Sequence, residues 1–185
     1  MNLMTGCPSP GNPLPAAITR HAYDRGVADE APKTWILTGS LENFRINVER
    51  NFDVIGLKER RVRQAEQFMT DDRVIFYVTG IKAFGGIARV LSPMFEDREP
   101  IWPQGKKKVH EDYPWRVQAE PVLVLEEEGF VPAESLLGEM EHLSKWPTEH
   151  WTLAFQGQLR TISAADSELL ERRLRSAKRK APAAR

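Results

Sequence analysis

The chain has 185 residues, 41% hydrophobic and 28% charged, with 26 basic side chains balancing 26 acidic ones. This is material for one packed domain with tails, and no apolar run reaches the ~18–20 residues that a membrane-spanning helix needs. Cys7 is the one cysteine, which excludes a disulfide within the chain and fits a reducing, cytoplasmic setting.

His21, His110, His142 and His150 have no metal-like spacing, so no metal or cofactor is expected. No basic stretch followed by an apolar run opens the sequence, so no signal peptide is expected. The charge is unevenly spread. Residues 172–185 hold seven basic side chains and no acid, while residues 33–171 hold 17 basic and 23 acidic ones, a net of −6. A body of that sign does not coat a phosphate backbone, so any nucleic-acid contact has to be local.

In chain order, residues 1–32 are rich in Pro, Gly and Ala without apolar periodicity and are expected to be disordered or loosely packed. The domain is expected over 33–175, followed by a basic tail, 176–185. Residues 34–38 form a short apolar run ended by Gly39, the pattern of a buried strand. Ser40 is placed to cap a helix reaching Arg50, and 52–57 reads as an extended link. Val62, Ala65, Phe68 and Met69 predict a helix over 59–69. Residues 73–79 and 87–91 read as a hairpin around a turn at 80–86.

A long loop, 92–112, carries Trp102 and then Lys106, Lys107 and Lys108; loops of that length in compact domains are often functional. Residues 114–125 alternate like a long strand, with Pro121 marking an edge or bulge. Leu136, Leu137, Met140 and Leu143 predict a helix over 132–143, and 151–155 reads as a strand. Ser163 and Asp166 have capping-box spacing before a helix carrying Leu169, Leu170 and Leu174. Short strands mixed with helices, without regular βαβ alternation, predict an α+β fold with a curved, mainly antiparallel sheet as a partly open barrel.

Four stretches, in this order, resemble one family. They are Trp35-Ile36-Leu37-Thr38 with Glu42-Asn43-Phe44; Ile55-Gly56 before a basic helix, then Asp72 and Phe76-Tyr77-Val78; Tyr113-Pro114-Trp115-Arg116-Val117 through Pro121; and Trp151, Phe155, Gly157 and Arg160 with the terminal helix. Together, over about 34–174, they resemble the EVE domain, a PUA-like module related to the YTH readers of methylated RNA. The resemblance implies a non-catalytic pocket that takes a single modified base from a DNA or RNA strand, in a protein favoured to be monomeric. The family commonly has Trp where this chain has Ile55. That change removes a flat stacking surface, worth ~1–3 kcal/mol per base, unless Phe44 or Phe52 replaces it or the ligand differs.

A modified base offers a π face, an apolar group and a polar edge, so its pocket needs aromatic walls and hydrogen-bonding groups. The candidates are Thr38, Gly39, Ser40, Asn43, Ile55, Gly56, Tyr77, Thr79, Trp102, Trp115 and Trp151, with Gly39 and Gly56 allowing close backbone approach. Candidates for backbone contact are Arg60, Arg63, Lys106, Lys107, Lys108, Arg116 and Arg160. Each has a plain alternative: Trp35 and Trp115 as core, Tyr77 as a buried ring with a bonded hydroxyl, the lysine run as a solvated loop. Two rival functions stay open. One is a hydrolase of modified nucleosides or RNA, as in the related ASCH domains; the other is a protein-binding module. A hydrolase pocket would bury a charged Lys–carboxylate pair, whereas a reader's pocket would be aromatic and mostly neutral.

Overall fold

The computed structural model of the protein describes residues 31–103 and 113–180. Most of the expected loose segment 1–32, the three lysines at 106–108 and residues 181–185 lie outside the described residues. Ala31 and Pro32 are exposed coil.

Two strands read as near-continuous apolar runs, the pattern of a strand covered on both faces. They are β1 (Thr34–Gly39) and β3 (Arg73–Val78), and they pair in parallel, Ile36 opposite Ile75. The remaining pairings are antiparallel. They place the strands in the order β2 (Val54–Leu57), β6 (Trp115–Val124), β4 (Ala83–Val90), β3, β1, β8 (Leu159–Ile162). Short β5 (Phe95–Glu96) joins β6, and β7 (Val131–Pro132) joins β4. The sheet curls into a half-barrel flanked by helices, the expected α+β architecture.

The crossover from β1 to β3 runs through α1 (Leu41–Glu49), β2, and a 3-10 turn that leads into α2 (Val62–Ala65). Ser40 caps α1, its Oγ accepting from the Asn43 amide at 3.2 Å. Phe44 on α1 meets Phe52, Phe76 and Phe130 edge-on, with centroids 5.1–6.0 Å apart. Trp35 is core, as its strand position suggested. Its Nε1 donates to Asp72 (2.8 Å), and that carboxylate also accepts from the amides of Lys33 and Met69.

β2 and β8 lie at opposite ends of the strand path, yet one side chain ties them together. Gln158 precedes β8; its Nε2 donates to the Gly56 carbonyl (3.2 Å) and its Oε1 accepts from the Lys58 amide (2.9 Å). Its own carbonyl accepts from the Thr38 amide (2.8 Å). A single carboxamide therefore closes the open seam of the half-barrel.

Several local expectations differ from the structure. The link at 52–57 contains a true strand, β2, and the predicted helix 59–69 is shorter, ending at Ala65. The glycines at 85 and 86 are not turn residues but part of β4. Gly85 is the extra residue of a bulge opposite Phe76 and Tyr77, and a Cβ there would stand 2.7–2.9 Å from ring carbons of Phe44 and Phe130. The predicted helix 132–143 is broken into a 3-10 turn at Ala133–Leu136 and α3 (Glu141–Ser144), because Gly138 takes φ +82 between them. Leu136, Met140 and Leu143 are nonetheless buried.

The predicted strand 151–155 is a 3-10 helix, Thr148–Phe155. A short apolar run does not reveal its period. The last helix, α4 (Ala164–Lys180), continues past the expected boundary at 175 and carries part of the basic tail. Its Arg173 pairs with Glu139, and its Glu171 with Arg73 and Arg175. Ser163 accepts from the Asp166 amide as expected, but the Asp166 carboxylate binds the amides of Glu141 and His142 instead of completing the capping box.

Candidate ligand pocket

Because β1 and β3 are parallel, both leave the sheet at the same end. Their carboxyl ends, with α1 above them, bound a cavity of about 620 Å³. That volume lies inside the ~300–1,000 Å³ of small-ligand sites, and strand carboxyl ends are where open sheets commonly place them.

Two aromatic pairs line it. Tyr77 stacks on Phe155 with centroids 3.9 Å apart and planes 14° from parallel. Trp102 and Tyr113 form the second pair, 5.4 Å apart. Trp102 is held from three directions. Its ring sits where a Gly56 side chain would be; a Cβ there would fall 2.2 Å from Cζ3. Its Nε1 donates to the buried Asn47 Oδ1 (2.8 Å). The Arg116 guanidinium lies over the ring at 5.6 Å.

The polar lining is mostly engaged within the protein. Thr79 Oγ1 donates to the Gly39 carbonyl (3.2 Å), and Asn43 Nδ2 donates to the Tyr113 hydroxyl (3.3 Å). The Thr38 hydroxyl differs: it is buried and has no hydrogen-bond partner. Burial also pushes the Tyr77 phenol up to about 12, so it stays neutral at any physiological pH. Among the charged lining residues, Glu42 and Arg60 are exposed and Lys58 is half-buried.

The EVE domain family profile matches residues 33–170. The chain belongs to the EVE domain family. Comparison with curated proteins gives no match. Among solved structures, the Mmi1 YTH domain shares the fold at TM-score 0.57 and 11% identity, over 80% of this chain and 78% of that one. An Mmi1 YTH domain in complex with RNA gives 0.55 and 12%, over 80% and 81%. The YTH domain of Zygosaccharomyces rouxii MRB1, in complex with N6-methyladenosine RNA, gives 0.53 and 16%, over 77% and 86%.

In this EVE domain the cavity is lined by Thr38, Gly39, Ser40, Asn43, Gly56, Tyr77, Thr79 and Trp102 of the expected set. Three candidates fall elsewhere. Ile55 is 1% exposed and packs in the core, because strand alternation sends it away from Gly56. The position therefore offers no wall; of the two phenylalanines that could stand in for the family's Trp, Phe44 lines the cavity and Phe52 does not. Trp115 packs against the core and its Nε1 donates to the Glu59 carbonyl (2.8 Å). Trp151 stands one layer back, edge-on to Phe155 at 6.2 Å.

Of the expected backbone contacts, Arg60 lines the cavity and Arg63 and Arg160 are exposed. Arg116 is a correction. It is 2% exposed and bonds Asp97, the Glu99 carbonyl and the Tyr113 carbonyl. It anchors both ends of the loop that carries Trp102 and is buried away from any strand of nucleic acid. Sequence reading missed Asn47, Phe155, Gly157 and Gln158 as lining residues. For Asn47 there was a signal: a polar residue three positions after Phe44, on the apolar face of its helix.

Proposed function

We propose that this EVE domain binds nucleic acid and takes one modified base, swung out of its strand, into the cavity. The observation that carries this reading is the Thr38 hydroxyl, buried without a partner beside two aromatic pairs. An unsatisfied buried hydroxyl costs ~1–3 kcal/mol, which a ligand's polar edge would recover. The aromatic pairs suit the π face, and Leu37, Phe44 and Val78 give an added methyl group an apolar seat. Two proteins of this fold are described with RNA, one of them with N6-methyladenosine RNA.

The lining favours binding over hydrolysis. The charged side chains that are buried among the described residues, Asp72, Arg116 and Asp166, do not line the cavity and already hold structural partners. The test is a titration with single- and double-stranded oligonucleotides carrying 5-methylcytosine, 5-hydroxymethylcytosine or N6-methyladenine, against unmodified controls. At least one modified strand should bind about tenfold tighter than its control, a difference of about 1.4 kcal/mol. Thr38→Val should reduce that preference while leaving the unliganded protein no less stable. Equal affinity for every strand would overturn the reading.

A further inference from the structure

Beside the aromatic pocket lies a cluster of cations. Gly157 lines the cavity with φ +89, and its missing Cβ marks a point 3.0 Å from Arg61 Nη2 and 3.5 Å from Arg160 Nη2. Two guanidinium groups thus converge on one bare backbone position, and Arg60 lines the same cavity. Arg45, Arg73, Arg89, Arg116 and Arg173 each hold a carboxylate. Arg60, Arg61 and Arg160 form no ion pair among the described residues. Arg61 Nη1 donates to Gln64 Oε1 (3.0 Å), but its Nε–H is buried and donates to nothing. Burial, then the charges of Arg60 and Arg160, hold the Arg61 guanidinium below its ordinary pKa. Packing like charges together without a counter-charge is unfavourable, and an arriving anion relieves it.

We propose that Arg61 and Arg160, with Arg60 at the rim, form a phosphate clamp for the nucleotide whose base fills the pocket. Guanidinium forks match the geometry of phosphate oxygens, and any side chain at Gly157 would crowd the two that converge there. The clamp rests on the pocket reading and narrows it: the ligand is a phosphorylated nucleotide or strand, not a bare nucleoside. Arg63, exposed and outside the cavity lining, takes no part.

The experiment compares wild type, Arg61→Gln, Arg160→Gln and Arg63→Gln by fluorescence anisotropy at several salt concentrations. The probes are a short single-stranded DNA with one 5-methylcytosine, its unmodified twin, and deoxycytidine 5′-monophosphate as competitor. Arg61→Gln and Arg160→Gln should each weaken both strands about tenfold and flatten the salt dependence by about 0.7, one single-strand phosphate. Arg63→Gln should match wild type. Competition by the mononucleotide that fails in the Arg160 variant assigns the clamp to a terminal phosphate; no competition assigns it to a strand phosphodiester.

The clamp and the base pocket fail separately. Wild-type affinity and slope in both clamp variants, with a base preference intact, overturns the clamp alone. Arg-dependent binding with no preference for any modified strand of the panel above overturns the pocket reading alone. No binding by the intact protein overturns both. Thermal melts show whether each variant is folded, and exposed Arg160 keeps the test decisive if Arg61→Gln unfolds.

Discussion

Adding one methyl group at Gly56 should dismantle a pocket wall. The Cβ of Gly56→Ala would stand 2.2, 2.5 and 2.9 Å from three carbons of the Trp102 ring, where carbon contacts settle at about 3.5–4.0 Å. The indole must retreat by about 1.5 Å to restore that spacing. Its 2.8 Å bond to Asn47 then stretches beyond hydrogen-bonding distance and leaves a buried carbonyl oxygen unpaired. Overpacking costs ~1–3 kcal/mol and the orphaned oxygen ~1–3 kcal/mol more. The alternative, releasing the buried Trp102 into solvent, exposes ~150–250 Å² of ring and costs ~4–6 kcal/mol. By either route global stability should fall by about 2–6 kcal/mol while the wall is lost. Tryptophan emission should shift to the red, with Trp102→Phe identifying the contribution of that ring. Binding of the preferred oligonucleotide should drop about tenfold or more, one stacking contact. Gly129→Ala is the control, since a Cβ there meets nothing within 4 Å. Wild-type emission, melting and affinity in Gly56→Ala would refute the assignment of Trp102 as a wall seated on Gly56.

Three further outcomes follow from the structure. Tyr77 is neutral in the fold with its pKa raised to about 12 by burial, against about 10 for an unfolded tyrosine; its contribution to stability is intact below pH 10 and lost as pH climbs through 12, so an alkaline melting series should show a late decline that Tyr77→Phe removes. Arg116→Lys should lower stability by about 2–4 kcal/mol in chemical denaturation, because one ammonium cannot reach Asp97, the Glu99 carbonyl and the Tyr113 carbonyl together; an unchanged midpoint would show the loop needs no such anchor. Gln158→Leu keeps the volume but frees the seam, so hydrogen exchange at the Lys58 amide should accelerate by at least about tenfold, and an unaltered rate would rule out the carboxamide bridge.

The sheet was legible where periodicity is strong. The runs at Thr34 and Arg73, the alternation from Val117 and the Leu169, Leu170, Leu174 face each produced the expected element. Legibility failed where a short apolar run fits two periods, as at Trp151 to Phe155, and where glycine has two uses. Gly85 reads as a turn residue until Phe44 and Phe130 are seen pressing on it. The pocket was legible at strand ends, because polar residues where an apolar strand ends leave the core; hence Thr38, Ser40 and Thr79, whereas Tyr77 lines the cavity from within β3 with its ring in the core. It was illegible at Gln158 and Arg116. Both are polar residues whose partners lie far along the chain, and nothing local distinguishes a guanidinium bound for solvent from one bound for burial. Ile55 and Trp115 were misplaced for the opposite reason: a motif fixes their position in sequence, but strand geometry decides their face.

The arrangement separates holding the pocket from using it. Asn47, Gly56 and Arg116 fix Trp102, Gln158 fixes the seam beneath it, and Gly39 occupies the Thr79 hydroxyl. Those groups are committed before any ligand arrives, so the aromatic walls are ordered in advance and a ligand pays little to organise them. Among the described residues, the buried side-chain groups left with unused capacity are the Thr38 hydroxyl and the Arg61 Nε–H. One is a short-range hydrogen-bonding group that can tell one base edge from another. The other belongs to a cation that attracts any phosphate. Changes to the holding residues should therefore weaken every ligand through disorder of the walls. Changes at Thr38 should alter which base is preferred, and changes at Arg61 should alter how tightly all strands bind without altering the preference.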